Sequence, residues 1–578
     1  MKLFQKLLLA PAALGLLAPV AANAADVNIA GLSQYGTEEQ VTSITQFSDV
    51  QPTDWAYQAL SNLIERYGCV AGYPNGTYRG NRAMTRYEAA ALLNACLDRI
   101  TEVTDELKRL MKEFERELAV LRGRVDGLEA RVGELEATQF STTTKLRGQA
   151  TFVLGANSFG GTKYSNPTTL NLPGSLGANG VNGASKNPAA VANTPQYNQA
   201  NYGATTFNYD VRLNLDTSFT GKDLLRTTLR ADNFNSGNNA YGEGGGLTFL
   251  EVATNAPTVD NVVEVNRLFY NFPVGKDFSV TAGARVRMDD AGMLGMWPSV
   301  YPADTVLDFF TYAGAPGAYN TSYGLGAGAG IVYNDVLGAK GWTLSTNYVS
   351  ANGGNGSPSQ GGIMTDGSSS TGVTQLGYTG GKFPVIGGSA WGLAAAYAYS
   401  QNMALPIGTP LATTTGLTGS SNNVGVSGYW VPEKTGFIPS VSTGWGITSF
   451  NLNTANPVGA GYTTSRNPQA NSWYVGLQWP DTFVKGNDLG MAVGQAPFIT
   501  QTSGGTTSSI SGINTPLDSN YMWEWWYKFQ VTDNITVTPA LYYINNYDGQ
   551  FGRINISNGQ YSASNSVFGG LVKTTFKF

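Results

Sequence analysis

From residue 141 to its end, the sequence alternates apolar and polar residues in segment after segment, and this period of two constrains the fold most strongly. In residues 207–216, for example, every odd-numbered residue is apolar and every even-numbered residue is polar. Such a period puts the apolar side chains on one face of a β-strand. Outside the N-terminus no run of 18 apolar residues occurs, which excludes a bundle of transmembrane helices. A closed β-barrel is then the remaining way to cross a bilayer.

The pattern predicts a transmembrane antiparallel β-barrel of about 16 strands in residues 141–578. Connections between the candidate strands alternate between short turns and long loops, and six of the seven short turns contain a lysine. Short periplasmic turns and long outer loops are typical of outer-membrane barrels, and an even strand number leaves both termini in the periplasm. The candidate strands are 145–156, 205–217, 224–234, 262–272, 278–287, 320–334, 341–350, 372–379, 390–400, 423–431, 438–450, 471–480, 488–496, 520–530, 534–545 and 559–578.

Sixteen strands enclose an aqueous channel, and the loop at 288–319 is its candidate constriction. The loop has no Lys or Arg and carries four acids: Asp289, Asp290, Asp304 and Asp308. Strand alternation predicts five arginines on the lumen face: Arg212, Arg226, Arg230, Arg285 and Arg287. An acidic loop facing a basic wall would select solutes by charge. Alternatively, the arginines pair with lumen acids such as Asp210 and Asp232 and only stabilise the wall.

The N-terminal part has a different composition. Residues 1–140 hold 32 of the 75 charged residues, whereas the remaining 438 residues hold 43. Lys2 and Lys6 precede an apolar stretch that ends in Ala22-Asn23-Ala24, so residues 1–24 are predicted to be a secretory signal peptide. Residues 25–46 are interpreted as a linker, and the chain is predicted to be exported.

Residues 98–140 show a heptad pattern, with apolar residues three or four positions apart from Ile100 to Leu135. A single helix cannot bury such a seam alone, so the pattern predicts a coiled-coil stalk in a homo-oligomer. A helix that folds back on its own chain is the alternative. The seam does not define the number of chains, and a trimer is expected from the barrel.

Residues 47–97 contain several short motifs in a fixed order. Phe47-Ser48-Asp49-Val50 is followed by Trp55-Ala56, by the turn at 72–78, and by Thr85-Arg86-Tyr87-Glu88, which has capping-box spacing. This order closely resembles an S-layer homology (SLH) domain. The resemblance implies binding of cell-wall polysaccharide through Asp49, Trp55, Gly72 and Arg86. Capping and core packing are the alternative roles for Asp49 and Trp55.

Residue types that are rare or absent limit the remaining functions. The chain has no histidine, which excludes Ser–His–Asp and Cys–His catalysis and imidazole metal sites. No enzyme activity, metal site or cofactor is therefore predicted. A net charge of −5 offers no basic surplus for nucleic acid. Cys69 and Cys96 form a candidate disulfide in an exported domain, with two buried thiols as the alternative.

The chain as a whole resembles the cyanobacterial SLH-bearing outer-membrane porins, which are related to the carbohydrate-selective porins and are sometimes called iron-uptake porins. The resemblance implies a trimeric porin in outer-membrane lipid, with its SLH domain and stalk in the periplasm and bound to peptidoglycan-linked polysaccharide. Its solutes would be small and hydrophilic: inorganic ions, iron or sugars. The alternative is a structural tether between membrane and wall, with a narrow or plugged barrel.

Overall fold

The structure is a computed structural model that describes residues 43–54, 57–67, 77–78, 143–164, 194–234, 239–253, 260–302, 306–320, 324–413, 419–434, 436–453, 467–501, 516–553, 555 and 562–578. The chain divides into two units, Met1–Thr138 and Gln139–Phe578. The predicted signal peptide, most of the linker and the predicted coiled coil lie outside the described residues. So do Trp55, Cys69, Gly72, Arg86, Cys96 and Asp304.

The described part of the first unit is a small helical cluster. A 3-10 turn at Ile44–Gln46 precedes a helix at Tyr57–Asn62, which continues as a π-helical turn at Leu63–Tyr67. Its core consists of Ile44, Phe47, Leu60 and Ile64. Leu60 and Ile64 lie four residues apart on one face of this helix, so that face packs against Ile44 and Phe47.

The second unit contains a closed antiparallel barrel, and sixteen strands are found in its described residues. Each strand pairs with its neighbours in sequence, and β1 pairs with both β2 and β16, which closes the barrel. The predicted fold class and strand number are confirmed. The strands are β1 (Thr144–Gly161), β2 (Thr206–Thr217), β3 (Leu224–Asp232), β4 (Glu264–Val274), β5 (Phe278–Arg287), β6 (Leu325–Asn334), β7 (Trp342–Ser350), β8 (Ser370–Gly380), β9 (Ala390–Gln401), β10 (Gly419–Val431), β11 (Ser440–Leu452), β12 (Gln469–Trp479), β13 (Asp488–Gln501), β14 (Tyr521–Thr532), β15 (Ile535–Asn545) and β16 (Asn565–Lys577).

Side chains alternate between the two faces of the barrel as the sequence pattern requires. In β9, Leu393 and Tyr397 are exposed on the outer face, whereas Ala396 and Ala398 are buried on the inner face. The final strand follows the same rule, with Phe568, Val572 and Phe576 exposed outward. The outer surface is thus an apolar band suited to lipid.

The alternation is interrupted by register shifts in β3–β6. In the β4–β5 pair the shift lies between Leu268 and Phe269, and it places Arg285 opposite Leu268, an exposed residue of the outer face. In the β5–β6 pair a shift lies between Gly283 and Val286, so β5 carries the extra residue of a β-bulge beside Arg285. Residues paired across two strands share a face, so this register favours the outer face for Arg285, and its role at the constriction stays a prediction.

Two of the long loops fold into the barrel and form a large part of its core. Residues 239–253 follow β3 and residues 288–320 follow β5, and the two loops are joined by an antiparallel bridge between Leu250 and Leu307. Both loops contribute to one cluster of buried apolar residues, together with inward-facing residues of the strands such as Phe269 and Tyr474. No helix in the described residues is long and apolar enough to span a membrane.

Candidate pore constriction

Half of the barrel wall carries no charge. Within the seven strands from β6 to β12 there is no Asp, Glu, Lys or Arg. Several inward positions are glycines: a Cβ atom at Gly425 or Gly446 would press against Ala315, and one at Gly476 would press against Tyr301. This half of the wall is therefore shaped to hold the loop at 288–320 in close contact.

Small polar side chains of the uncharged half fix the loop by hydrogen bonds to its backbone. Ser427 donates to the carbonyl of Ala313 at 2.6 Å, and Ser472 donates to the carbonyl of Gly314 at 2.8 Å. The Ser442 hydroxyl accepts from the Tyr301 N–H at 3.0 Å. The loop follows β5, and these bonds attach it to the inner face of β10, β11 and β12. The loop therefore lies inside the barrel, as expected for a constriction.

Glu524 of β14 is the one acid that holds this loop from the far side among the described residues. Its two carboxylate oxygens accept hydrogen bonds of 2.8 Å, one from the Tyr301 hydroxyl and one from the Leu307 N–H. The Tyr301 hydroxyl also accepts a 2.9 Å bond from the Trp526 indole. Glu524 is fully buried, so water cannot hydrate its carboxylate. The hydrogen bonds from the loop take the place of hydration.

The other half of the wall, from β1 to β5, is rich in charge. Asp210 lies between Arg212 and Arg230, with N···O distances of 2.6 and 2.5 Å. Arg226 pairs with Asp216 at 2.7 Å. The alternative of arginines paired with wall acids therefore holds for these three arginines. Asp232, the other acid proposed for this role, is buried and accepts a 3.2 Å hydrogen bond from the Phe234 N–H.

Two predicted loop acids meet arginines at the point where the loop leaves β5. Asp289 pairs with Arg287 at 2.6 Å, and Asp290 pairs with Arg267 at 2.9 Å. Asp308, by contrast, is buried at the start of a 3-10 turn, where its N–H donates to the carbonyl of Phe249. The structure thus brings Asp289 and Asp290 to arginines and sets Asp308 at the junction of the two loops.

The loop at 239–253 is attached to the charged half. Arg230 donates to the carbonyl of Val252 at 2.7 Å, and Arg212 lies 3.8 Å from Glu251. Together with the bridge to Leu307, these contacts make the two loops a continuous connection across the lumen, from the charged half of the wall to the uncharged half. We call residues 239–253 and 288–320 the loop pair.

The side chains of three paired arginines are more exposed than those of their acidic partners. The side chains of Arg212, Arg226 and Arg287 are 26%, 29% and 32% exposed, whereas those of Asp210, Asp216 and Asp289 are 0%, 9% and 22% exposed. In each of these pairs water therefore reaches the arginine more than the carboxylate.

The extracellular loops pack on two buried acids. Asp548 accepts hydrogen bonds from Asn198 at 2.8 Å and Asn565 at 3.0 Å. Asp518 accepts from the Thr409 hydroxyl at 2.6 Å. Burial raises the pKa of both carboxyl groups to about 7. These contacts join the helix at Pro195–Tyr202 and the turn at Pro410–Thr413 to the last two loops.

Sequence reasoning missed Arg267, Glu251 and the role of Glu524. Arg267 is turned inward by a register shift between β3 and β4, which leaves no local signal. Glu251 lies in a long loop that folds into the barrel. The only sequence signal for this position is the pair of apolar neighbours, Phe249 and Leu250. Glu524 had a signal: it is an acid on the inward face of an aromatic strand.

In the first unit only Asp49, of the four predicted polysaccharide contacts, lies in the described residues. Its carboxylate accepts a 2.6 Å hydrogen bond from the Tyr78 N–H. Asp49 therefore fixes the backbone at Tyr78 against the start of the unit. Among the described residues of the whole chain, no group of three or more Asp, Glu, Cys or His side chains is placed to hold a metal ion.

Comparison with known families gives two matches. Residues 102–578 match the carbohydrate-selective porin, OprB family, and residues 46–90 match the S-layer homology domain.

Relatives and solved structures give a consistent picture. The uncharacterized protein alr4550 of Nostoc sp. is 35% identical, over 94% of this chain and 86% of that protein. The outer membrane protein SlpA of Thermus thermophilus is 36% identical, over 15% of this chain and 11% of its own. The structure of OprB from Pseudomonas putida at high pH has a TM-score of 0.41 and 12% identity, and the match covers 77% of this chain and 96% of that one.

Proposed function

This chain belongs to the OprB family of carbohydrate-selective porins, and on that premise we propose that it forms a narrow water-filled channel for small hydrophilic solutes. It is an outer-membrane protein, and its SLH domain is the anchor to the cell wall. The finer proposals concern which solutes pass, what the anchor binds and how many chains assemble.

The observation that carries the channel proposal is the exposure of the paired arginines. Arg212, Arg226 and Arg287 present their guanidinium groups to the lumen while their carboxylate partners are more buried. Rings of charged side chains select ions in aqueous pores. We therefore expect small anions to pass more readily than small cations, with Arg212, Arg226, Arg230 and Arg287 as the basic wall and Asp289, Asp290, Asp304 and Asp308 as its acidic complement.

The loop pair supports a narrow channel. Because it connects both halves of the wall and buries large residues such as Phe309 and Tyr301 inside the barrel, little of the bore remains for solute. Inorganic ions fit this geometry better than sugars do. Liposome swelling with sugars of increasing size tests the proposal: we expect a steep fall in rate above a monosaccharide. Equal rates for mono- and trisaccharides would contradict a narrow channel.

The second candidate function is a structural tether with a plugged barrel. The same buried cluster favours it, since a fully closed loop pair would leave no aqueous path. The two functions are compatible in one molecule, and the presence or absence of ion conductance separates them.

For the anchor, we propose that Asp49, Trp55, Gly72 and Arg86 hold a peptidoglycan-linked polysaccharide. A guanidinium group can form two parallel hydrogen bonds to a carboxylate of the sugar. Sedimentation of the full-length protein with purified cell wall tests this, with Arg86→Gln expected to remain in the supernatant. Arg79→Gln, which changes another arginine of the same unit, is the control and should sediment normally. Equal sedimentation of both variants would contradict the assignment.

We further propose a homotrimer whose coiled coil, residues 98–140, stands in the periplasm. The heptad seam supports self-association, because its apolar residues need a partner. Light scattering of the purified protein with the detergent contribution subtracted tests the number of chains. A monomer would contradict the proposal.

A further inference from the structure

Four neighbouring short turns at the periplasmic end of the barrel each hold an apolar side chain that is almost fully exposed. Leu337, Val385, Phe437 and Phe483 are 91%, 84%, 98% and 90% exposed. Leu393 on the lipid-facing surface is only 54% exposed by comparison. The four turns connect β6 to β7, β8 to β9, β10 to β11 and β12 to β13. We call them the tip turns. Ile386, Ile438 and Val484, the next residues in three of these turns, are also exposed, and apolar groups gathered in this way mark a binding surface.

Two of the four tips are held in an unfavourable backbone conformation. Leu337 and Phe483 have φ angles of 54° and 63°, which is the left-handed region that glycine and asparagine adopt readily. Neither side chain packs in the core, so folding alone does not require a large apolar residue there. The strain persists although asparagine would remove it, which indicates that the apolar side chains have a use at these positions.

The tips lie at the level of the aromatic belt on the outer wall. The Trp479 indole donates a 2.8 Å hydrogen bond to the carbonyl of Phe437, and the Trp430 indole donates one of 2.8 Å to the carbonyl of Gly387. The Phe483 ring lies 6.1 Å from the ring of Tyr527. Tryptophan and tyrosine at the ends of barrel strands mark the boundary between lipid and water. The tip turns are therefore continuous with the lipid-facing surface.

Each tip turn also contains a lysine: Lys340, Lys382, Lys434 and Lys485. Lys382 pairs with Glu433 at 3.1 Å, and among the described residues no carboxylate lies within 4 Å of the other three ammonium groups. Two acids of these turns accept backbone N–H groups instead: Asp335 from Gly341 at 2.9 Å and Asp481 from Gly486 at 2.7 Å. The lysines thus project with the apolar tips while these acids close the turns.

We propose that the tip turns form a docking surface for anionic lipid headgroups of the inner leaflet of the outer membrane. Such an interface favours apolar side chains that enter the boundary of the acyl chains. It also favours ammonium groups beside them that contact the headgroups. The pair repeats in four turns across eight adjacent strands, so the surface is long and follows the barrel edge, as a leaflet does. This surface is separate from the lumen and does not depend on the proposed channel function.

Depth measurement tests the apolar part. Phe437→Cys, in the full chain with Cys69→Ser and Cys96→Ser, is labelled with an environment-sensitive fluorophore and reconstituted in vesicles of phosphatidylcholine and phosphatidylglycerol. Gly354→Cys in the long β7–β8 loop is the aqueous control, because nothing lies near its Cβ position. We expect quenching by lipid-borne nitroxides at 437 and by iodide at 354. Equal iodide quenching at both sites would overturn the proposal.

Lipid-dependent melting tests the lysines. The melting temperature is measured in phosphatidylcholine with and without phosphatidylglycerol for wild type and for Lys340→Gln/Lys434→Gln/Lys485→Gln. Lys163→Gln/Lys186→Gln alters two lysines of the long loop between β1 and β2, at the opposite end of the barrel, and is the control. We expect anionic lipid to raise the melting temperature of wild type and control, with at least half of the increase lost in the first variant. Equal increases in both variants, or no increase in wild type, would overturn the proposal.

Discussion

The hydroxyl group of Tyr301 donates a 2.8 Å hydrogen bond to the buried carboxylate of Glu524, and so joins the loop at 288–320 to strand β14. The second carboxylate oxygen accepts the Leu307 N–H at the point where the two lumen loops bridge. One side chain of the wall therefore holds the loop pair at its centre. The width of the channel depends on this contact as much as on the charged wall.

Replacing Glu524 tests this dependence. Glu524→Ala leaves the Tyr301 hydroxyl and the Leu307 N–H without partners, at a cost of about 1–3 kcal/mol for each. We expect a mobile loop, noisier channels and faster liposome swelling with disaccharides. Glu524→Gln preserves the shape and can still accept from Leu307, so it is the matched control and should behave like wild type. Identical noise and swelling in both variants would show that the contact does not hold the loop.

Removing charge from the arginine wall should change ion selectivity. Arg226→Gln removes a half-buried guanidinium group that faces the lumen. Two unit charges ~4 Å apart in water interact with an energy of about 1 kcal/mol. This energy corresponds to a roughly fivefold change in the local occupancy of an ion. We expect the chloride-to-potassium permeability ratio to fall by up to about this factor. Arg285→Gln is the matched control, because Arg285 pairs with an outer-face residue. An equal change in both variants would contradict the assigned faces.

Two aspartates that bind arginine should differ in their contribution to stability. Asp210 is fully buried between two arginines, so Asp210→Asn leaves buried positive charge uncompensated, at a cost of about 3–5 kcal/mol. The Asp289–Arg287 pair is partly exposed, so Asp289→Asn should cost about 1 kcal/mol or less. Urea unfolding in vesicles, followed by tryptophan fluorescence, measures both. Equal destabilisation would indicate that water reaches Asp210.

The extracellular loops should loosen as pH rises. Burial raises the pKa of Asp548 to about 7 from an ordinary value of 3.8. The folded loop therefore keeps its proton between about pH 4 and 7 while the open loop loses it, and the free energy of opening falls across this window. The protection factor of residues 194–202, which is the intrinsic exchange rate at each pH divided by the observed rate, should be lower at pH 8 than at pH 5. Asp548→Asn should flatten this dependence, and a protection factor independent of pH in wild type would contradict it.

Much of the barrel could be predicted from sequence because strand alternation is a local property. The predicted strand at 278–287 coincides with β5 as found, and 205–217 matches β2 within one residue at its start. The alternation of the final strand, β16, also follows from the period of two. These features need only the pattern of apolar residues along the chain.

Features that depend on contacts between distant segments could not be predicted. A register shift between β4 and β5 pairs Arg285 with the exposed Leu268, and a shift between β3 and β4 brings Arg267 onto the lumen face. Both shifts arise from the register of closing strands, which the local pattern does not contain. The loop at 239–253 is held in the lumen by the antiparallel bridge between Leu250 and Leu307, which are distant in sequence. The absence of charge from β6 to β12 is the sequence signal that could have indicated where the loops pack.

The most direct test of the account is the conductance of the purified protein in planar bilayers, together with the reversal potential in a potassium chloride gradient. Discrete steps that grow with salt concentration, and a reversal potential of the sign for chloride preference, are the predicted results. Folded protein without steps would leave the tether with a plugged barrel as the function. Steps with potassium preference would show that the acids of the loop pair, rather than Arg212, Arg226 and Arg287, set the field in the channel.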